Sequence, residues 1–293
     1  MIKLFKKDHT DQNLTTWQWI CANSDQIEKQ NKILQQTDLQ KIPLLLEFNH
    51  SFDLKSISKD IEIAKQKYGD WGWLSENNPD GKNKPYSGFG LTWNPDHNLK
   101  LPEHQSVLGS PDRSKFTYDV SKSGPDGERF GDGKNDYVDT LGLNVRTRAS
   151  KFGAIGELLN NVKRTLVKSR ISTIHGNKPE MGLSRPFHRD ANVFTGTRVN
   201  IPIDTDKPYV FDMQTLQEPA HLEVGKAYSF DTSTLHRVIS MRPCSNPRTH
   251  IVINVSPWWD WNQDEECWQT NEFYGKMHPL EMIYEGHIMD GLC

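Results

Sequence analysis

Apolar and polar residues alternate along the second half of the chain, in short segments separated by turn-forming residues. A period of two is typical of half-buried strands, and many such strands with turns between them favour an antiparallel sandwich or barrel. The segments, in chain order, are KSRISTI, TRVNIPI, PYVFDM, AHLEV, KAYSF, HRVIS and RTHIVINV. This pattern predicts a fold that is mainly β in its C-terminal half.

Helical spacing and one further strand precede this region. Residues 54–68 place apolar side chains on one side of a helix, and Asp53 is a residue type that begins helices. Residues 153–165 show the same spacing, and the apolar run at 42–48 predicts a buried strand. Residues 1–42 are polar apart from a patch of tryptophan and isoleucine, which predicts an arm packed on the body.

Residues 69–140 are rich in Gly, Pro, Asp, Asn and Lys and lack periodicity. Such segments are either disordered or cover a functional site, and the aromatic residues among them favour a cover. No linker composition divides the chain. We therefore predict one domain, with the arm, helices and loops in 1–150, the β core in 151–256 and a C-terminal extension in 257–293.

Composition narrows the class of protein. The formal net charge of -3 gives no electrostatic footprint for nucleic acid or for an anionic membrane. The four cysteines form no CxxC pair, which favours free thiols in a reducing compartment. No secretory h-region and no stretch of roughly 18 apolar residues is visible. The prediction is a cytoplasmic protein without nucleic-acid or membrane partners, and its oligomeric state stays open.

The tripeptide His188-Arg189-Asp190 has two incompatible interpretations. It matches the catalytic loop of a protein kinase, but the position that should hold the conserved loop Asn is Thr195. The chain also lacks a complete Gly-rich loop and an Asp-Phe-Gly motif, and strands rather than helices follow. These differences exclude the kinase.

The other interpretation is a metal site. A mononuclear Fe(II) centre takes two imidazoles and one carboxylate and leaves other positions open. His188 and Asp190 lie two positions apart and would share one face of a strand, and His236 begins a later strand. An isolated His-x-Asp also arises by chance, as two solvated residues at a strand end. The downstream His236 favours the metal site.

Arg248 opens the strand RTHIVINV, the next one after His236. From there its side chain can enter the same cavity and bind a carboxylate with a two-pronged fork. A 2-oxoglutarate co-substrate requires such a partner, because its keto acid end binds iron and its far carboxylate needs a cation. This residue extends the prediction from a metal site to an iron and 2-oxoglutarate site.

The order His-x-Asp, His, Arg in a β-rich frame resembles the Fe(II)/2-oxoglutarate-dependent oxygenases. The finer similarity is to the aspartyl/asparaginyl β-hydroxylase-like branch, which includes free proline hydroxylases. It is carried by RVNIPIDTDKPYVF (198–211), VGKAYSFDTSTLHRV (224–238) and RTHIVINV (248–255). The resemblance covers about residues 165–256 and implies a double-stranded β-helix core (jelly-roll, cupin-like) with flanking helices.

The resemblance also implies the roles of individual residues. His188, Asp190 and His236 would be the iron ligands, and O2 would be the second co-substrate. Arg248 would bind the far carboxylate of 2-oxoglutarate. Further residues that would lie near the co-substrate are Arg198, Asn200, His250 and Ser172. Because related halogenases lack the carboxylate ligand, Asp190 favours hydroxylation.

The implied reaction is hydroxylation of an unactivated C–H bond, with release of succinate and CO2. The resemblance suggests an amino-acid side chain as the substrate, free or within a peptide. Arg146, Arg148 and Arg185 are candidates for binding the charged groups of a free amino acid. The alternative from another class is a non-catalytic cupin-like protein that binds a metal or a small acid.

Overall fold

Antiparallel strands dominate the part of the chain that the structure describes. The structure is a computed structural model, and it describes residues 1–11, 14–70, 86–97, 102–103, 139–175, 187, 189–190, 192–205, 209–240 and 247–293. Most of the predicted loop region 69–140, together with His188 and Arg185, lies outside these ranges. Mainly β with flanking helices is confirmed as the fold class for the described residues.

The largest sheet among the described residues has six strands. They are β2 (Leu45–Asn49), β3 (Tyr86–Gly90), β6 (Arg170–Ile174), β7 (Thr197–Asp204), β9 (Lys226–Phe230) and β11 (Arg248–Val255). Their order in the sheet is β2-β9-β7-β11-β6-β3, and every pairing is antiparallel. Four of these six coincide with segments whose alternation predicts strands, and β2 overlaps the apolar run at 42–48. The strand β3 was not indicated by the sequence pattern.

The two faces of this sheet differ in chemistry, because successive side chains on a strand point to opposite sides. One face is apolar and belongs to the main hydrophobic core. Its residues are Leu46, Phe48, Phe89, Ile171, Val199, Ile201, Ile203, Ala227, Ile251, Ile253 and Val255. The opposite face carries Arg198, Asn200, Arg248 and His250, so the sheet separates a core from a polar face.

A two-stranded sheet covers part of this polar face. It consists of β8 (Tyr209–Met213) and β10 (His236–Ser240). Phe211 of β8 packs against Phe230 of β9 with ring centroids 4.5 Å apart, and Met213, Leu222 and Tyr228 complete this second apolar cluster. The two sheets therefore face one another across a partly apolar interior.

Helices contribute buried residues to the same main core as the apolar face of the large sheet. They are α1 (Thr16–Ala22), α2 (Gln26–Gln36), α3 (Leu54–Tyr68) and α4 (Gly153–Asn160). The predicted bounds of α3 are confirmed, and Asp53 accepts a hydrogen bond from Ser56 N at 3.1 Å. The predicted packing of the arm is also confirmed, since Trp17 and Ile20 lie in the main core.

The prediction of one helix over 153–165 was wrong at its C-terminal end. The helix ends at Asn160, and Lys163 N donates to Ile288 O at 2.9 Å while Val162 pairs with Met289. Apolar residues beyond Asn160 reach the core from extended backbone, because this backbone bonds the C-terminal segment. AHLEV is likewise not a strand, since only Ala220 pairs, in an isolated bridge to Phe211.

The remaining elements lie at the two ends of the chain and beside β3. A small sheet joins β1 (Lys3–Phe5), β13 (Cys267–Thr270) and β12 (Trp259–Asn262), a second joins β4 (Thr92–Trp93) and β5 (Val145–Arg146), and α5 (Pro279–Tyr284) follows. The indole N–H of Trp259 donates to Gln26 Oε1 at 2.8 Å. No helix within the described ranges is long and apolar enough to cross a membrane.

Candidate active site

Three of the predicted site residues meet where the two sheets approach each other. His236 begins β10, Arg198 lies near the start of β7, and Asp190 lies in the segment before β7. His236 Nε2 is 3.4 Å from Asp190 Oδ2, and Arg198 Nη1 donates to the same carboxylate oxygen. Residues far apart in the sequence therefore form one polar cluster.

The local packing fixes the orientation of His236. Its register with Met213 places it on the inward side of β10, and only 4% of the residue is exposed. The Phe230 ring packs against the imidazole edge to face with centroids 4.9 Å apart. The Nδ1 atom lies 2.8 Å from Thr234 O, and because a carbonyl can only accept, Nδ1 carries the proton. In the neutral ring Nε2 therefore carries the lone pair, and this atom lies 3.4 Å from Asp190 Oδ2.

Asp190 is held by its backbone and by its side chain. Its N–H donates to Thr232 O at 2.9 Å, in the turn that leads into β10, and its carboxylate pairs with the buried Arg198. The prediction that His-x-Asp lies on a strand was wrong for Asp190, which lies outside any strand. Hydrogen bonds to the turn, rather than a strand ladder, set its position.

The other predicted residues lie further along the same polar face of the large sheet. Arg248 and His250 share one side of β11, and Ser172 of β6 lies directly opposite His250 in the ladder. Asn200 of β7 lies opposite Val252, which is also on this side. Because residues that pair directly point to the same face, the co-substrate candidates and the Asp190 cluster share one surface.

Arg248 and His250 form a buried pair whose protonation follows from geometry. Arg248 Nη2 donates to His250 Nδ1 at 3.0 Å, so Nδ1 accepts and the proton of the neutral ring is on Nε2. Burial, reinforced by the Arg248 charge, holds the pKa of His250 well below its usual range. His250 is therefore neutral at physiological pH.

Several buried hydrogen-bond donors on this face lack an acceptor among the described residues. They include His250 Nε2, Asn200 Nδ2 and Arg198 Nε. Leaving a buried donor unpaired costs about 1–3 kcal/mol. A bound acid with several acceptor oxygens would satisfy donors of this kind.

The described atoms fit part of a metal site. Two ligands at adjacent positions of an octahedral ion, with bonds of about 2.1 Å, stand about 3 Å apart, close to the separation of Asp190 Oδ2 and His236 Nε2. Within the described ranges, no group of three His, Cys, Asp or Glu side chains lies together as a metal site requires. The third predicted ligand, His188, lies outside those ranges. A carboxylate oxygen and an imidazole nitrogen are suitable donors for Fe(II).

Other sequence candidates have structural partners. Arg148 pairs with the fully buried Glu103 at 2.9 Å, and Arg146 donates to Asn160 Oδ1 at 2.8 Å. Asp231, just after the end of β9, accepts from Ser233 N and Oγ and so caps the turn that follows. Each of these three residues therefore has a hydrogen-bond or ion-pair partner within the chain.

Sequence reasoning missed the residues that orient the site. Thr234, Thr232 and Phe230 position His236 and Asp190 through two backbone carbonyls and one ring. Backbone carbonyls carry no sequence signal. The phenylalanine ending β9 was visible only as part of the alternating pattern.

No protein-family model and no curated protein sequence matches the chain. Distant likenesses exist among solved structures. A prolyl hydroxylase from Trichoplax adhaerens, in complex with a hypoxia inducible factor peptide fragment, is 12% identical, with a TM-score of 0.37 over 87% of this chain and 97% of that chain. The non-heme alpha ketoglutarate dependent epimerase SnoN from nogalamycin biosynthesis is 10% identical, with a TM-score of 0.38 over 78% and 81%.

An oxidoreductase of the 2OG-Fe(II) oxygenase family from Burkholderia pseudomallei is 11% identical, with a TM-score of 0.37 over 78% of this chain and 90% of that chain. The identities and TM-scores of all three are too low to carry an argument about fold or activity. The functional conclusion therefore depends on the residues of this chain.

Proposed function

We propose that the chain is an Fe(II)- and 2-oxoglutarate-dependent dioxygenase that hydroxylates an unactivated C–H bond. The observation that carries the proposal is the pair formed by Asp190 Oδ2 and His236 Nε2, 3.4 Å apart, in a ring whose Nδ1 donates to Thr234 O. His188 completes the ligand set in this proposal. Fe(II) bound there would supply, with 2-oxoglutarate and O2, the oxidation that yields hydroxylated product, succinate and CO2.

The chain's own residues orient the ligands and receive the co-substrate. Thr234 O fixes the tautomer of His236, and Thr232 O fixes the backbone of Asp190. Arg248 binds the far carboxylate of 2-oxoglutarate, because a planar guanidinium matches a carboxylate in two parallel hydrogen bonds. The neutral His250 donates from Nε2, an atom with no acceptor among the described residues.

The fold is a double-stranded β-helix in this proposal, within one oxygenase domain. The support is the two antiparallel sheets that face each other and carry the site between them. We also propose the aspartyl/asparaginyl β-hydroxylase-like branch, and an amino-acid side chain, free or in a peptide, as the substrate. The support for the branch is the segment order RVNIP, KAYSFD, HRV and RTHIV, which coincides with β7, β9, β10 and β11.

The test is succinate formation from 2-oxoglutarate with Fe(II) and O2, across a panel of free amino acids and short peptides. Turnover that depends on a panel member and is lost in His236→Ala would support the proposal. Tight metal binding without succinate in any condition would favour the metal- or acid-binding protein instead. Full turnover in His236→Ala would refute the site assignment.

A further inference from the structure

An outward-facing arginine lies next to His236 in the sequence. His236 and Val238 point inward on β10, so Arg237 between them points outward, opposite Asp212 of β8. Its Nε donates to Asp212 Oδ2 at 2.7 Å. Its guanidinium carbon stands 4.2 Å from the centre of the Phe187 ring, the geometry of a cation–π contact.

Phe187 immediately precedes the His-x-Asp tripeptide. Neither Phe187 nor Asp190 belongs to a strand, so contacts other than a strand ladder position these two residues. At the far end of the tripeptide, Asp190 N–H is bonded to Thr232 O. The ring contact of Phe187 and the backbone hydrogen bond of Asp190 therefore attach these two residues to the same region, the turn and strand that carry His236.

We propose that Arg237 is a positioning residue for the metal site and acts through Phe187. The proposal rests on the function proposed above. By holding the Phe187 ring, Arg237 fixes the His-x-Asp segment against β10, so the ligands from two distant parts of the chain keep one separation. Asp212 supports this role because its carboxylate sets the direction of the guanidinium.

The size of the expected effect follows from the exposure of the contact. Phe187 is 36% exposed and the Arg237 side chain is 29% exposed, so water screens the interaction. A partly exposed cation–π contact and its supporting ion pair correspond to about a threefold to tenfold change in an equilibrium constant. Loss of the Arg237–Phe187 contact should therefore weaken metal binding by this factor without abolishing it.

The experiment is a Co(II) titration of the full chain, with Co(II) as a spectroscopic substitute for Fe(II). The variants are Arg237→Ala, Phe187→Ala, their double mutant and Phe187→Tyr. We expect each alanine variant to raise the Co(II) Kd about threefold to tenfold, the double mutant to raise it no further, and Phe187→Tyr to retain the wild-type value. Equal effects in single and double mutants identify one shared interaction.

Arg164→Ala is the matched control. Arg164 lies over the Phe273 ring at 4.8 Å and pairs with Asp260, so its loss removes a similar interaction elsewhere on the surface. This variant should lower the melting temperature and leave the Co(II) Kd unchanged. A Co(II) Kd within twofold of wild type in Arg237→Ala, or fully additive single effects, would overturn the proposal.

Hydrogen exchange in the metal-free protein separates this proposal from the proposed function. Loss of the Arg237–Phe187 contact should speed hydrogen exchange of the Asp190 amide, which donates to Thr232 O, more than exchange of the amides in β11. Unchanged exchange at Asp190 in Arg237→Ala would refute the positioning role, whatever metal the wild type binds. Absence of Co(II) binding by the wild type would refute the proposed function and leave the exchange result to decide whether Arg237 holds the segment.

Discussion

The substitution of Arg248 tests the proposed division of the polar face into a metal region and a carboxylate region. Arg248 is only 9% exposed, and its Nη2 is fixed by His250 Nδ1 at 3.0 Å. A guanidinium held in this way loses little conformational freedom when a carboxylate binds. We therefore compare Arg248→Ala, which removes charge and fork, with Arg248→Lys, which keeps the charge alone.

The magnitude follows from the strength of charge-assisted hydrogen bonds. Each contributes about 1.5–3 kcal/mol when partly shielded from water. Loss of two such bonds, partly offset by water that enters the space of the side chain, amounts to about 3 kcal/mol, or roughly a 100-fold weaker affinity for 2-oxoglutarate. Arg248→Lys retains one direct contact, so its affinity should fall about tenfold.

The assay is succinate production as a function of 2-oxoglutarate concentration, together with Co(II) binding to the same variants. Arg248→Ala should shift the 2-oxoglutarate dependence and leave the Co(II) Kd nearly unchanged, because Arg248 is not among the proposed metal ligands. An unshifted 2-oxoglutarate dependence would refute the carboxylate role. A parallel loss of Co(II) affinity would show that Arg248 supports the metal region instead.

Three further predictions concern stability and are measured by thermal or urea unfolding. Burial raises the pKa of Asp139, so the contribution of this residue to the free energy of unfolding is greatest at low pH. That contribution falls as pH rises from about 3.8 through the higher pKa of the folded state. Asp139→Asn should remove this loss of stability and leave the protein at least as stable at pH 7. Burial lowers the pKa of His278 to about 4, so stability should fall by up to about 3 kcal/mol as pH drops from 6.5 to 4, and His278→Asn, which keeps a helix cap, should abolish that loss. Trp259→Phe should destabilise by about 1–3 kcal/mol because Gln26 Oε1 loses its buried donor, and an unchanged unfolding free energy would show that this bond contributes nothing.

The strands were the most predictable part of the fold, and for a simple reason. In segments such as KAYSF and RTHIVINV, burial of one or both faces imposes a pattern that local sequence records. The end of α4 was not predictable in this way. Apolar residues beyond Asn160 have helical spacing, but their backbone pairs with the C-terminal segment, and a local pattern contains no information about such a distant partner.

The candidate site likewise has features that the local sequence indicated and features that depend on distant parts of the chain. Residue types and order alone indicated His188, Asp190, His236 and Arg248, because metal and carboxylate chemistry restricts the side chains that can serve. Their orientation was not indicated. Thr232 and Thr234 act through backbone carbonyls that every residue possesses, and the contact of Arg237 with Phe187 joins positions far apart in the chain.

The sequence by itself determined the mainly β class and the helix at 54–68, and it indicated the residues that we propose hold iron. Only the tertiary structure decided that Asp190 lies outside any strand and that Arg198 and His236 both contact its Oδ2 atom. It also decided that His250 is a neutral partner of Arg248. The reason is physical. Periodicity and residue chemistry are local properties, whereas register, tautomer and the burial of charge depend on contacts between segments that only folding brings together.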